Sequence, residues 1–324
     1  MRLGTRGSAL ALAQARLVAD LLGGAEIVTI AVSGDRAASG ATGGDKTRWV
    51  NELERALLAE EIDLAVHSAK DVPGELADGL ALLGAPARAA AEDVLCGAAG
   101  LDALAPGARV GTSSLRRAAQ LRAARGDLAI ETVRGNVDTR LRKLGEAAQR
   151  SSSSSGGGGG GGGGYRSGRG ALDAIVLARA GLQRLGRETE IGAVLDPARF
   201  VPAPGQGTLA LEGRADDATT RAAVQALTDE RAFACLRAER ALARALDASC
   251  DTPLGAHARD AGSGCLELRA WVGLPDGSEW VTDELRGGFD DPDALGRRVA
   301  ERMLSAGAGD LLSQARHAPP QHAQ

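Results

Sequence analysis

The chain has 324 residues, 44% hydrophobic and 25% charged, with a formal net charge of −4. That length accommodates two or three domains. The acidic balance and 2% aromatic content exclude a general nucleic-acid binder, which needs positive charge and stacking platforms. No stretch approaches the about eighteen uninterrupted apolar residues of a membrane span. Only three lysines (Lys46, Lys70, Lys143) stand among 38 basic residues, so cationic chemistry here is guanidinium chemistry. The opening "RLGT" reads as a strand, followed by a helix capped by Ser8 and running through Leu22. Gln14, Arg16 and Asp20 interrupt its apolar run, so it is an amphipathic helix rather than a signal peptide, and a cytoplasmic location is expected. "AEIVTIAV" is a strand, Ser33 to Thr47 a polar Gly-rich loop, Val50–Glu60 a helix, and "DLAVHS" a strand ending at Ser68.

A second βα series begins near Asp93. "DVLCG" and "ARVGT" read as strands, Ser114–Arg125 as a helix, "LAIETV" as a strand, Asn136–Arg150 as a helix and "LDAIVLARA" as a strand. Alternation of this kind makes a mostly parallel sheet with helices on its faces. Two such series predict two lobes with a cleft between them, and ligands in such folds sit at strand carboxyl ends and helix N-termini. From about Asp229 the pattern changes to a long helix over Glu230–Leu246, a loop holding Cys250, a hairpin within "CLELRAWVGLPDGSEWVTDEL" turning at Pro-Asp-Gly, and a last helix after Asp293. Residues 151–164 are Ser and Gly only, a flexible-coil composition that buries no core and reads as a surface expansion. The tail "HAPPQHAQ" is expected to be disordered.

Three strand ends carry anion-binding residue types. Thr112, Ser113 and Ser114 stand where a strand meets a helix, and Arg116 and Arg117 add forked donors that match carboxylate or phosphate. "VRGNVDTRLRKL" places Arg134 at a strand end and Arg140 about a turn into the next helix. "GTRGS" places Arg6 and Ser8 after the first strand. Repetition favours a shared anionic ligand for these arginines, whereas Arg122 and Arg125 read as a solvated helix face. In "AVHSAKDVPG", His67, Ser68, Lys70 and Asp71 lie at a strand-to-loop boundary. Asp71 beside Lys70 stays ionised and is either a turn residue or a stabiliser of positive charge on a ligand; His67 alone reads as structural. The four cysteines (Cys96, Cys235, Cys250, Cys265) form no CxxC pair and have no His at ligand spacing, so neither disulfides nor a metal centre are expected. Acids at 247 and 251 flank Cys250 and disfavour its thiolate; taken alone it is a free structural thiol.

In order, the segments "GTRGSALALAQA", "DLAVHSAKDVP", "GTSSLRRAAQL", "RGNVDTRLRKL", "AIVLARAGLQRLG", "PAPGQGTLALEGR" and "LDASCDTPLGAHA" closely resemble the porphobilinogen deaminase (hydroxymethylbilane synthase) family over residues 2–310. The resemblance implies an α/β fold: two periplasmic-binding-protein-like (type II) lobes plus a small C-terminal α+β domain. The corresponding limits are 1–88 with 203–225, then 89–202, then 226–324. It implies that four porphobilinogen molecules are joined head to tail with loss of ammonia, and that linear hydroxymethylbilane is released by a monomer. It also implies a dipyrromethane primer held by a thioether at Cys250, and Asp71 as the catalytic carboxylate. Arg6, Ser8, Lys46, Ser68, Lys70, Thr112, Ser113, Ser114, Arg116, Arg117, Arg134, Arg140, Arg184 and Gln206 match the family's carboxylate-binding positions. The chain departs from the family at Trp49, where Phe is common, in a 40–53 segment that would act as a lid. It departs again at the Ser/Gly run, which replaces a short turn. A non-catalytic solute-binding protein on the same two-lobed fold is the competing reading.

Overall fold

The computed structural model describes residues 1–31, 45–144, 172–248 and 252–317, without side-chain detail for 45–49. The first five-stranded sheet contains β1 (Arg2–Thr5), β2 (Glu26–Thr29), β3 (Leu64–Ser68), β4 (Leu80–Gly84) and β10 (Leu209–Arg214), in the order β2-β1-β3-β10-β4. β1 runs parallel to β2 and β3, and β10 runs antiparallel between β3 and β4. The second sheet contains β5 (Asp93–Cys96), β6 (Arg109–Gly111), β7 (Ala129–Glu131), β8 (Ala174–Ala178) and β9 (Ala193–Val194), in the order β7-β6-β8-β5-β9. Here too three neighbouring strands, β7, β6 and β8, are parallel and one strand, β5, runs antiparallel. The two sheets therefore share one topology, and the antiparallel strand of each is the one that arrives from the other lobe. Residues 85–92 and 195–208 make the two crossings.

Helices cover the sheets because their apolar residues recur at helical spacing. In α1 (Ala9–Leu21), Gln14, Ala15, Val18 and Ala19 are buried, and the helix packs on Leu3, Leu64 and Leu211 of the first sheet. Burying a Leu of this kind contributes roughly 1.5–3 kcal/mol. α2 (Asp45–Leu58) lies on the other face, burying Leu53 and Leu57 against Ile62 and Ala65. It starts at Asp45, about a turn before the expected Val50, and an acid at the first position suits a helix N-terminus. In the second lobe, α3 (Leu115–Ala124) buries Leu121 beside Val110 and Val176. Helical backbone α4 follows over 137–144 and buries Leu141. The expected strand "LDAIVLARA" is a strand only to Ala178; α5 (Arg179–Arg184) then begins, because Ala, Leu and Arg are good helix formers once the chain leaves the sheet.

The remaining helices are α6 (Ala218–Leu227), α7 (Glu230–Ala245), α8 (Pro292–Ser305) and α9 (Ala308–His317). Ser8, Ser114, Asp217, Asp229 and Asp291 each accept a backbone N–H of the helix they precede, about 1 kcal/mol apiece. The C-terminal unit differs from the expected hairpin: β11 (Leu254–Asp260), β12 (Cys265–Gly273) and β13 (Trp280–Gly288) form a three-stranded antiparallel sheet. α7 and α8 pack on it through Leu242, Leu295, Val299 and Met303. The helix α9 was not foreseen as separate; Gly307, at φ 96°, divides it from α8. The Ser/Gly run, the rest of the Asn136–Arg150 helix, the 32–44 loop and residues 318–324 lie outside the described residues. Among the described residues, no helix is long and apolar enough to cross a membrane.

Candidate active site

Parallel pairing puts the carboxyl ends of β1 and β3 at one edge of the first sheet, which delivers Arg6, Ser8 and the Ser68–Asp71 segment together. Ser8 accepts the Ala11 N–H as the cap of α1. Gln14 of α1 is 3% exposed and its amide meets the Ser68 hydroxyl at 2.9 and 3.2 Å. Asp71 closes a single 3₁₀ turn over Ala69–Asp71. Beneath it, His67 Nε2 lies 2.8 Å from the fully buried Glu212 carboxylate, a structural pairing as its sequence position suggested.

The second lobe presents the carboxyl ends of β6, β7 and β8 at one edge in the same way. Thr112 Oγ1 accepts the Ser114 N–H, Ser114 Oγ accepts the Arg117 N–H, and the exposed Ser113 hydroxyl donates to the Val133 carbonyl. Arg134 is exposed just beyond β7. Arg140 on α4 donates to the Gly135 carbonyl at 2.8 Å. Burial and the nearby Arg117 lower the basicity of Arg140, while the Asp71 carboxylate raises it. Two residues from opposite lobes, Asp71 and Arg140, are thus within electrostatic reach of each other.

Gln206, fully buried in the second crossing, ties the halves together. Its Nε2 donates to the Ala91 carbonyl (2.7 Å) and to Asp93 (2.8 Å). Its Oε1 accepts from Lys70 Nζ (3.3 Å) and from Arg117 (3.4 Å). Arg184 donates to the next carbonyl, Gly207, at 2.7 Å, and its burial lowers its pKa to about 10.

Arg116 and Arg117 are not open to a ligand to the degree their sequence position suggested. Both are buried and both hold Asp93, Arg116 at 2.7 Å and Arg117 at 2.7 and 3.0 Å. Arg116 also donates to the Val201 carbonyl and Arg117 to the Val176 carbonyl. Isolated buried guanidinium is costly, so each needs a carboxylate, and the first residue of β5 supplies it. Arg122 and Arg125 are likewise not a solvated face: Arg122 is partly buried and donates to the Pro275 carbonyl of the C-terminal unit, and Arg125 to those of Leu101 and Leu104. Cys250 and the Lys46 side chain lie outside the described residues. Cys96 and Cys235 are core residues; burial pushes their thiols up to about 11 and about 12, which leaves them unreactive. Among the described residues, no cluster of His, Cys, Asp or Glu could hold a metal ion.

Sequence reasoning missed Asp93, Gln14 and the pair Arg88–Glu239. Arg88, in the first crossing, donates to Glu239 of α7 at 2.7 Å and to the Gln206 carbonyl at 2.9 Å. Glu239 also accepts the Gly205 and Ala258 N–H groups. One signal was available for Asp93: two adjacent arginines in a helix with an apolar side require a buried acid. Nothing local said which acid.

A family model described as porphobilinogen deaminase, dipyrromethane cofactor binding domain matches residues 1–222, and one described as its C-terminal domain matches 233–305. The chain belongs to the porphobilinogen deaminase family. A porphobilinogen deaminase of Brevibacillus brevis is 41% identical over 97% of this chain and 96% of its own. One of Xanthomonas axonopodis pv. citri is 44% identical over 97% and 99%. Among solved structures, a putative methionine-binding lipoprotein of Bacillus subtilis covers 72% of this chain and 91% of its own, at 10% identity and a TM-score of 0.38.

Proposed function

We propose that the chain is a hydroxymethylbilane synthase, joining four porphobilinogen molecules into the linear tetrapyrrole with loss of four ammonia molecules and uptake of one water. The supporting observation is the continuous polar bridge that Lys70, Gln206 and Arg117 form between the lobes beside Asp71, with Arg140 within electrostatic reach of that carboxylate. Porphobilinogen carries an acetate and a propionate, so the growing chain is a polyanion. Arg6, Ser8, Lys46, Ser68, Lys70, Thr112, Ser113, Ser114, Arg117, Arg134, Arg140 and Arg184 are assigned to those carboxylates. Arg116 and Gln206 are assigned to the frame that holds Arg117 and Lys70 in place. The donor set fits the family's dipyrromethane group, whose four carboxylates need forked cations and hydroxyls. Cys250 would anchor it by a thioether, and when bound it supplies a nucleophilic pyrrole α-carbon.

The carboxylate of Asp71 accepts the pyrrole N–H and stabilises the positive charge that develops on the ring as the carbon–nitrogen bond to ammonia breaks. The new carbon–carbon bond forms at that methylene, and the proton displaced from the attacking α-carbon leaves to solvent. The arginines hold side-chain carboxylates and take no proton, since guanidinium stays charged. The proposed domain limits are 1–88 with 203–225, 89–202, and 226–324. A cytoplasmic monomer is the proposed working form.

The experiment is incubation with porphobilinogen, acid oxidation, and a search for uroporphyrin absorbance, together with the intact mass of the purified protein. A two-pyrrole mass increment that reddens with Ehrlich's aldehyde supports the reading. A bare polypeptide mass and no porphyrin would favour the solute-binding alternative. Asp71→Ala is expected to lower turnover by about a hundred- to a thousandfold, the order seen when one charge-stabilising group is lost, without unfolding the protein. Near-normal activity in that variant removes Asp71 from the mechanism.

A further inference from the structure

Arg240 lies mid-way along α7, the helix that leads toward Cys250, and only 8% of its surface is exposed. Its guanidinium reaches out of the C-terminal unit into the first lobe. There it donates to three successive carbonyls, Val72 (3.3 Å), Pro73 (2.7 Å) and Gly74 (3.0 Å). These carbonyls directly follow Asp71. The turn that presents Asp71 is one 3₁₀ turn, closed by the Val72 N–H on the Ala69 carbonyl at 3.2 Å. So short an element has no hydrogen-bond ladder of its own to fix it. One turn before Arg240 on α7, Leu236 packs under the same segment against Ala69 and Val72. Three carbonyl dipoles converging on one point repel one another, and a many-donor cation with a fixed fork of N–H groups satisfies all three. Arg240 keeps its charge at neutral pH: burial and Arg244 lower its pKa to about 10, and Glu212 and Glu75 support the cation.

We infer that Arg240 is a positioning residue for Asp71. By gripping the Val72–Gly74 carbonyls, it registers the carboxylate-bearing turn against the helix that continues into the Cys250 loop. This deepens the reading of Asp71 proposed above and rests on it. The charge-stabilising carboxylate is then indexed to a helix of the C-terminal unit as well as to the first lobe.

Arg240→Met keeps the aliphatic stem and removes the donors. Displacing a catalytic group by about 1 Å costs roughly a hundredfold in rate. The expected result is a kcat about 10- to 100-fold lower with KM for porphobilinogen changed less than about threefold, and with the two-pyrrole mass increment retained. Arg240→Lys should fall between Met and wild type. In Arg240→Ala, added ethylguanidinium should restore part of kcat. The groove beside the side chain, lined by Gly74, Leu76, Phe233 and Arg237, gives it a way in. A merely structural role would lower thermal stability without guanidinium rescue. If Arg240→Met does not fold, Arg240→Lys and the rescue series decide. Wild-type kcat in Met or Lys, or loss that tracks the melting temperature alone and ignores the added guanidinium, overturns the inference. Asp71→Ala measured alongside separates the two claims: an inactive Asp71→Ala with a fully active Arg240→Met sinks only the positioning role, and an active Asp71→Ala sinks both.

Discussion

Asp93 illustrates how a residue without any visible motif comes to organise a site. Burial alone would raise its pKa, yet the Coulombic pull and hydrogen bonds of Arg116 and Arg117 outweigh that and hold its carboxyl well below the usual range. A depressed folded pKa means stability that is fully present above the unfolded value, about 3.9, and is lost only as pH falls through the folded one. Asp93→Asn leaves two buried guanidiniums without a counter-charge and is expected to cost about 3–5 kcal/mol, read from urea unfolding at neutral pH. His257 acts with the same sign from the opposite charge type. Burial first, then Arg88, Arg259 and Arg269, depress its pKa to about 3. The unfolded chain therefore binds a proton that the folded one refuses between about pH 6.5 and 3, and stability falls as pH falls through that window. His257→Gln should show a smaller drop in urea midpoint between pH 7 and pH 5 than the wild type. At this scale the ordered motifs of the sequence singled out Asp71, Arg140 and Gln206. Asp93 was illegible because it opens "DVLCG" like any strand-starting acid, and its partners lie 23 and 24 residues further on.

Elements were read well where periodicity is local and poorly where pairing is distant. The strands β1, β3, β6 and β8 and the helices α1, α3 and α7 follow from apolar spacing and caps. β10 was missed as a strand because its neighbours β3 and β4 lie far away in the chain, and its antiparallel register is set by them. β11 was missed because "LGAHARD" offers Gly and Ala where a strand pattern shows branched residues. The "PGQG" turn before β10 was legible as a motif but not as a packing constraint. Gly205, at φ 73°, passes so close to Ala69 and Lys70 that an added Cβ would sit 2.9 Å from their backbone. Gly205→Ala would combine left-handed strain of roughly 1–2 kcal/mol with a push on the turn that carries Lys70 and Asp71. Its kcat is expected to fall more than about tenfold while its melting temperature falls by only several degrees.

The C-terminal unit braces the whole molecule, most directly through one helix and one turn. α7 grips the first lobe through Arg240 and both crossings through Glu239. The Pro275–Ser278 turn rests on α3 of the second lobe, with the Pro275 carbonyl on Arg122. This cross-bracing was not readable in the sequence, since its contacts join residues 34 to 167 positions apart with no local pattern to announce them. The Ser/Gly run falls in the sequence between Leu144 and Leu172, outside the described residues. Loop closure entropy changes slowly with length, about 0.6 kcal/mol per doubling. Deleting residues 151–164 should therefore shift unfolding stability by less than about 1 kcal/mol and leave porphobilinogen turnover unaltered; a large loss of either would assign that run a role in the fold.

The chain passes between the sheets twice, in two neighbouring strips joined by the Ala89 N–H on the Gly207 carbonyl. Two parallel straps permit a door-like swing about their common line and resist twist or slide. Groups on that line, Asp93 and Gln206, stay at constant separation through such a swing. Asp71, whose turn lies against Gly205 of the second strap, stays beside that line while the outer rims of the two leaves part. A product that lengthens ring by ring can thus be given more room at the mouth while the pivot keeps its hydrogen bonds unbroken.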